Sequence, residues 1–152
     1  MRGFLSGWGI RILIIAIIAG GAFIFRDRLG GNAGDLQVGD CFDEPAQETE
    51  TVEDVQHHPC NESHTAEVVF VGNYAGATDT YPTDDQFVSA VLAQCVPAFN
   101  SYTGRDFQSD QELDLGYFVP TADGWGGGDH EMICYAVRLD EAPSTTSVKA
   151  GG

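Results

Sequence analysis

The chain has 152 residues, with 23 acidic against 7 basic side chains and a formal charge of −16. So large a negative surplus repels phosphate backbones and anionic headgroups, which excludes a nucleic-acid-binding protein. The charge is also unevenly placed: residues 1–30 sum to +3, and the rest sums to −19 with Arg105, Arg138 and Lys149 as its basic groups.

Between Phe4 and Phe25 the only charged residue is Arg11. As a helix this stretch reaches about 33 Å, against a hydrocarbon core of about 30 Å. Arg11 can snorkel toward the near interface along its aliphatic stem. The sequence therefore predicts an N-terminal transmembrane helix over residues 1–30, with the acidic remainder outside the membrane. A cleavable signal peptide with small residues at Gly31-Asn32-Ala33 is the competing reading. Arg26 and Arg28, directly after the apolar run, favour the uncut anchor.

Residues 31–35 read as a linker and 36–141 as one α+β domain. LQVGDCF, residues 36–42, begins the fold as a strand with a turn at Gly39-Asp40. EPAQETETVED, residues 44–54, is a polar excursion. A short strand follows before Cys60, and residues 64–74 give a third strand whose run Val68 to Val71 has buried character. Loop residues fill 72–82. The strongest helix signals come next: Thr83 with Gln86 fits a capping box, and Asp84 and Asp85 sit in the first turn. Phe87, Val88, Val91, Leu92, Cys95, Val96 and Phe99 recur on one face. Pro97 is expected to kink or end the helix and Gly104 to close it. Residues 113–120 and 130–139 read as two strands flanking the glycine-rich connection TADGWGGGD. Residues 142–152 are low in apolar side chains and read as a disordered tail. The expected architecture is a small antiparallel sheet of four to five strands packed on one main helix.

Cys41, Cys60, Cys95 and Cys134 all lie beyond the anchor, an even set in a small extracytoplasmic head, as in a disulfide framework. Of the possible pairings, Cys41 with Cys60 joins neighbouring strands, and Cys95 with Cys134 joins the helix to the last strand. This reading decides how to take HHPCNESH, residues 57–64. Three histidines and a cysteine suggest zinc, but an oxidised Cys60 has no thiolate to offer. No metal and no cofactor is expected.

Catalytic candidates are few. Asp129, His130 and Glu131 are adjacent on a strand and point to alternate faces. His64 with Asp40 is the better acid–base pair and supports an alternative reading as an envelope hydrolase. The surface candidates for binding are Trp125, on its glycine-rich loop, with Asp129, His130, His64 and Tyr102. A large aromatic there can stack on a sugar ring or enter a partner's pocket.

The run VGDCF, HPCNESHTAEVV, CVPAFNSYTG, FVPTADGW and GDHEMICYAV resembles the septum formation family of actinobacterial envelope proteins. Its four cysteines, Cys-x-x-x-His, Tyr-x-Gly and Pro-x-x-x-x-Trp fall in the family's order over residues 36–139. The resemblance implies a small extracytoplasmic α+β domain, lipidated or membrane-anchored, that is linked to cell division and carries no known reaction. The chain departs from the family's usual Gly-Asp-Arg at Gly128-Asp129-His130, and a membrane segment stands in place of a lipid. The expectation is a single-pass membrane protein whose head, without catalysis, binds an envelope or division protein or a cell-wall polymer.

Overall fold

Apolar residues alternate along two long strands, β6 (Leu113–Pro120) and β7 (Glu131–Arg138), and this alternation sorts the core into two layers. Leu115 and Tyr117 of β6, with Met132 and Cys134 of β7, face one side. Phe118, Ile133 and Tyr135 face the other. The computed structural model describes residues 14–17, 33–45, 51–52 and 54–152. Its other strands are β1 (Ile14–Ile17), β2 (Cys41–Asp43), β3 (Thr51–Val52), β4 (Gln56–His58) and β5 (Ala66–Asn73). They line up in the order β3-β1-β6-β7-β5-β2-β4. The five from β6 to β4 are antiparallel, as expected.

β1 and β3 extend this sheet in parallel along the free edge of β6, Ile14 opposite Tyr117. Ile14–Ile17 is the described part of the expected anchor, and it is extended rather than helical. No helix among the described residues is long and apolar enough to cross a membrane, so the expected transmembrane helix is not found. The remainder of residues 1–30 lies outside the described residues. The physical reason for the strand is local: three β-branched isoleucines in four positions favour extended backbone, and the outer edge of β6 offers unpaired N–H and C=O groups.

The main helix follows its sequence signals closely. α1 (Asp84–Ala90) starts at Thr83, whose hydroxyl accepts from the Gln86 N–H, while the Gln86 side chain accepts from the Thr83 N–H. A wider π turn, Val91–Cys95, leads into α2 (Val96–Thr103), and Gly104 closes it in the left-handed conformation with φ 69°. Pro97 thus falls in the first turn of α2, directly after the wider turn. Phe87, Val91, Cys95, Phe99 and Thr103, each four residues apart, form the buried stripe. Such a stripe drifts by about 40° per step on a regular α-helix, and the wide turn corrects part of this. It also carries Leu92, expected on the buried face, out to 44 % exposure.

The connection between β6 and β7 is a third helix, α3 (Ala122–Gly126), rather than a simple glycine loop, because the Thr121 hydroxyl caps it by accepting from the Gly124 N–H. Gly116 has a stricter role. A Cβ there would sit 2.3 Å from the Tyr135 ring, so the ring lies flat on β6 only because that position is bare. On this second face Phe42, Phe118 and Tyr135 form an aromatic cluster covered by Leu36, Val52 and Val55.

Both predicted disulfides are present: Cys41–Cys60 ties β2 to the turn after β4, and Cys95–Cys134 ties the helix to β7. Residues 143–152 form no long helix or strand, yet they pack back onto the domain through bonds described next.

Candidate functional site

Register assembles the most unusual group of side chains. In the sheet Cys41 lies opposite Glu67 on β5 and opposite His58 on β4, and directly opposed residues place their Cβ atoms about 5 Å apart. Glu67 is on the helix face and only 1 % exposed. A carboxylate so placed needs donors around it. It has three: Oε1 accepts from the Tyr102 hydroxyl of α2 at 2.6 Å and the Ser147 hydroxyl at 2.6 Å, and Oε2 accepts from the Val148 N–H at 2.7 Å. Burial, reinforced by the Glu67 charge, pushes the Tyr102 phenol far above its ordinary range, which keeps it a donor.

His64 approaches from the residues leading into β5 and is also buried. Its backbone pairs with Ser144 of the tail in both directions, and its Nδ1 lies 2.8 Å from the Glu62 carbonyl. A carbonyl only accepts, so Nδ1 carries the hydrogen, and Nε2 is the nitrogen that bears the lone pair in the neutral ring. Cys41 Sγ, a His64 ring nitrogen and a Glu67 carboxylate oxygen all lie within 4.8 Å of one another. A shallow cleft of about 370 Å³ beside this cluster is lined by Val69, Ala98, Ser101, Tyr102, Lys149 and Ala150.

The residues singled out in the sequence divide between two places. His64 and Tyr102 converge on Glu67. Trp125, Asp129 and His130 gather at the far end of the helix face. Trp125 is 3 % exposed there, packed edge-on against Tyr74, Tyr81 and Phe87, with the His130 ring tilted against it at 4.3 Å and its indole N–H donating to the Thr78 carbonyl. Trp125 is thus a core residue, and His130 is the half-buried edge of its cluster. The Asp129 carboxylate accepts from the Glu131 N–H. The hydrolase pair is not brought together among the described contacts: His64 bonds the Glu62 carbonyl, and Asp40 accepts from the Gln37 N–H. The histidines of 57–64 also diverge, with His57 exposed and His58 paired to Asp43 at 2.8 Å.

Sequence reasoning missed Glu67 and Ser147. A signal for the first exists: Glu67 is the single acid in the apolar run AEVVFV, and strand alternation places it on the same face as Val69. A half-buried acid, Glu44, lies near Tyr135 on the opposite face. Burial raises its pKa above 4.5, the Tyr135 hydroxyl lowers it, and the charges of Glu141 and Asp114 raise it again. Among the described residues neither Glu44 Oε1 nor the Tyr135 hydroxyl reaches a partner at good hydrogen-bond geometry. Their interaction is a loose electrostatic contact in which burial dominates.

Residues 38–151, about three quarters of the chain, match the profile of a family described as septum formation. The chain belongs to the septum formation family. The matched span of this septum formation domain starts just before Cys41 and runs through the tail residues that bind Glu67. The carboxylate, its donors and both disulfides therefore fall inside the family domain. No curated protein and no solved structure matches the chain.

Proposed function

We propose that this chain is a non-catalytic interaction domain of the cell envelope, held on the outer face of the membrane by residues 1–30, that serves septum formation by binding a division protein or a cell-wall polymer. The observation that carries this reading is the septum formation match across the whole disulfide-bonded domain. Two disulfides in so small a domain support an oxidising compartment, and the acidic head is suited to standing off from anionic headgroups. The acid–base candidates His64 and Asp40 are each engaged elsewhere, which favours binding over hydrolysis. On this reading Ile14–Ile17 exchange their pairing with β6 for a membrane helix, since residues 4–25 are long enough to span.

The test is a C-terminal fusion to a fluorescent protein that matures outside the cytoplasm, combined with crosslinking of the full chain in intact cells. Enrichment of the label at division sites, with a reproducible envelope partner, is the expected outcome. A label that glows only as a cytoplasmic fusion, or that ignores the septum, sinks the reading.

A further inference from the structure

We propose that opening the Cys41–Cys60 bond turns the corner around Glu67 into a zinc-class metal site, with Cys41, Cys60, His64 and Glu67 as its four ligands. The inference rests on the geometry of the corner and does not depend on the septal role.

Three of the four ligand groups are already gathered and buried: Cys41 Sγ, a His64 nitrogen and a Glu67 oxygen within 4.8 Å of one another. The fourth, Cys60, is disulfide-bonded to the first. Tetrahedral zinc, with bonds of about 2.0–2.3 Å, sets its ligand atoms roughly 3.3–3.8 Å apart. Those three therefore have to contract by about an ångström, and Cys60 Sγ, outside that group, has to turn away from Cys41 toward His64 and Glu67 once the bond is open.

The surroundings match what a metal site requires beyond its ligands. A ligating histidine usually donates its other N–H to a carbonyl, which fixes both ring and tautomer. His64 Nδ1–H donates to the Glu62 carbonyl, and Nε2 has no hydrogen-bond partner among the described residues. Glu67 is likewise held by Tyr102, Ser147 and the Val148 N–H, yet Oε2 accepts from one donor only and retains a lone pair. Two thiolates, an imidazole and a carboxylate form a borderline-soft set that suits Zn²⁺ or Co²⁺ and discriminates against Mg²⁺ and Ca²⁺. His57 and His58 take no part, because one is exposed and the other is bonded to Asp43.

The chemistry balances with a dithiol as reductant. The Cys41–Cys60 bond takes two electrons and two protons to give two thiols, and the dithiol closes to its own disulfide. Metal binding then displaces the two thiol protons. Cys60 is partly exposed, whereas Cys95 and Cys134 are both 0 % exposed, so a reductant reaches the first bond and leaves the second. Newly made chain, before oxidation, has the same two thiols. Because Glu67 also binds the tail, metal at this corner is coupled to the position of residues 144–148.

The experiment takes the full chain in detergent micelles, reduces it with limiting phosphine, and verifies by alkylation and mass mapping that only Cys41 and Cys60 are free. Co²⁺ is then titrated in as the probe. The expected result is one Co²⁺ per chain with the visible bands of tetrahedral cobalt and a near-ultraviolet thiolate band, displaced by Zn²⁺, with two protons released per metal. The oxidised chain shows none of this. His64→Ala weakens binding at least tenfold, and His57→Ala leaves it unchanged. X-ray absorption of the zinc-loaded wild-type chain needs no variant and should show two sulphur and two nitrogen or oxygen neighbours. A reduced chain with only octahedral cobalt, a different sulphur count, or equal affinity in a folded His64→Ala variant would overturn the proposal.

Discussion

Glu67 is the residue on which the helix, the sheet and the tail meet, so its removal is the sharpest single-residue test of the architecture. Glu67→Ala leaves the Tyr102 hydroxyl, the Ser147 hydroxyl and the Val148 N–H without their acceptor. Hydrogen bonds to a charged group contribute roughly 1.5–3 kcal/mol each, and their losses overlap when donors turn to water. A loss of about 3 kcal/mol is expected in urea unfolding, against about 1 kcal/mol for Tyr102→Phe, which leaves two donors in place. Equal, small losses in both variants would show that the carboxylate is not the hub. Glu44 makes an opposite prediction. Its folded pKa is raised, chiefly by burial, so the folded state holds the proton more tightly than the unfolded chain does. Its contribution is therefore fully present below about pH 4.5, the ordinary value, and is lost as pH rises through the folded pKa. Glu44→Gln should be more stable than the parent at pH 7 and lose that advantage near pH 4; thermal melts across this range check it. A parallel pH profile for the two proteins would contradict the assignment.

The elements that were legible in the sequence are those whose information is local. The main helix carries its own capping box, first-turn acids and closing glycine within residues 83–104, and each is used as read. The cysteine pairing followed from which elements the cysteines end. The same local reading failed at the tail, because what holds residues 143–152 is remote: Ser147 reaches an acid 80 residues away, and Tyr102 meets the same acid from 35 residues away. A segment poor in apolar side chains can still be ordered if its backbone and hydroxyls satisfy one buried charge, which composition cannot show. The strand at Ile14–Ile17 was not legible for a related reason, since the sequence does not show whether a free sheet edge is at hand. Truncation after residue 142 tests the tail. It removes the Ser144 pairing with His64, two of the three donors to Glu67, and the Ala150 N–H bond to the Tyr102 carbonyl. Stability should fall by about 2–4 kcal/mol, and backbone amide exchange should accelerate around residues 64–67 and 102. Unchanged exchange there would mean that the tail is carried passively.

For the whole molecule the question is how a domain of this size stays folded with so much like charge. Two closed loops supply part of the answer. The Cys41–Cys60 bond spans 19 residues and the Cys95–Cys134 bond 39, and restricting the unfolded chain over such loops stabilises by roughly 3 and 4 kcal/mol in the chain-entropy account. Against a typical total of about 5–15 kcal/mol, each is a large share. They differ in access. Cys95 and Cys134 are sealed between the helix and β7, while Cys60 sits on a partly exposed turn. Reduction under native conditions should therefore proceed in order: Cys41–Cys60 opens first while the helix face stays packed, and Cys95–Cys134 opens only as the domain unfolds globally. Timed alkylation with mass mapping follows the sequence directly. In urea the second step should accelerate with denaturant in step with global unfolding, and the first should hardly respond. Loss of both bonds at one common rate in native buffer would mean that the helix face opens as easily as the turn, contrary to the packing of Cys95 against β7.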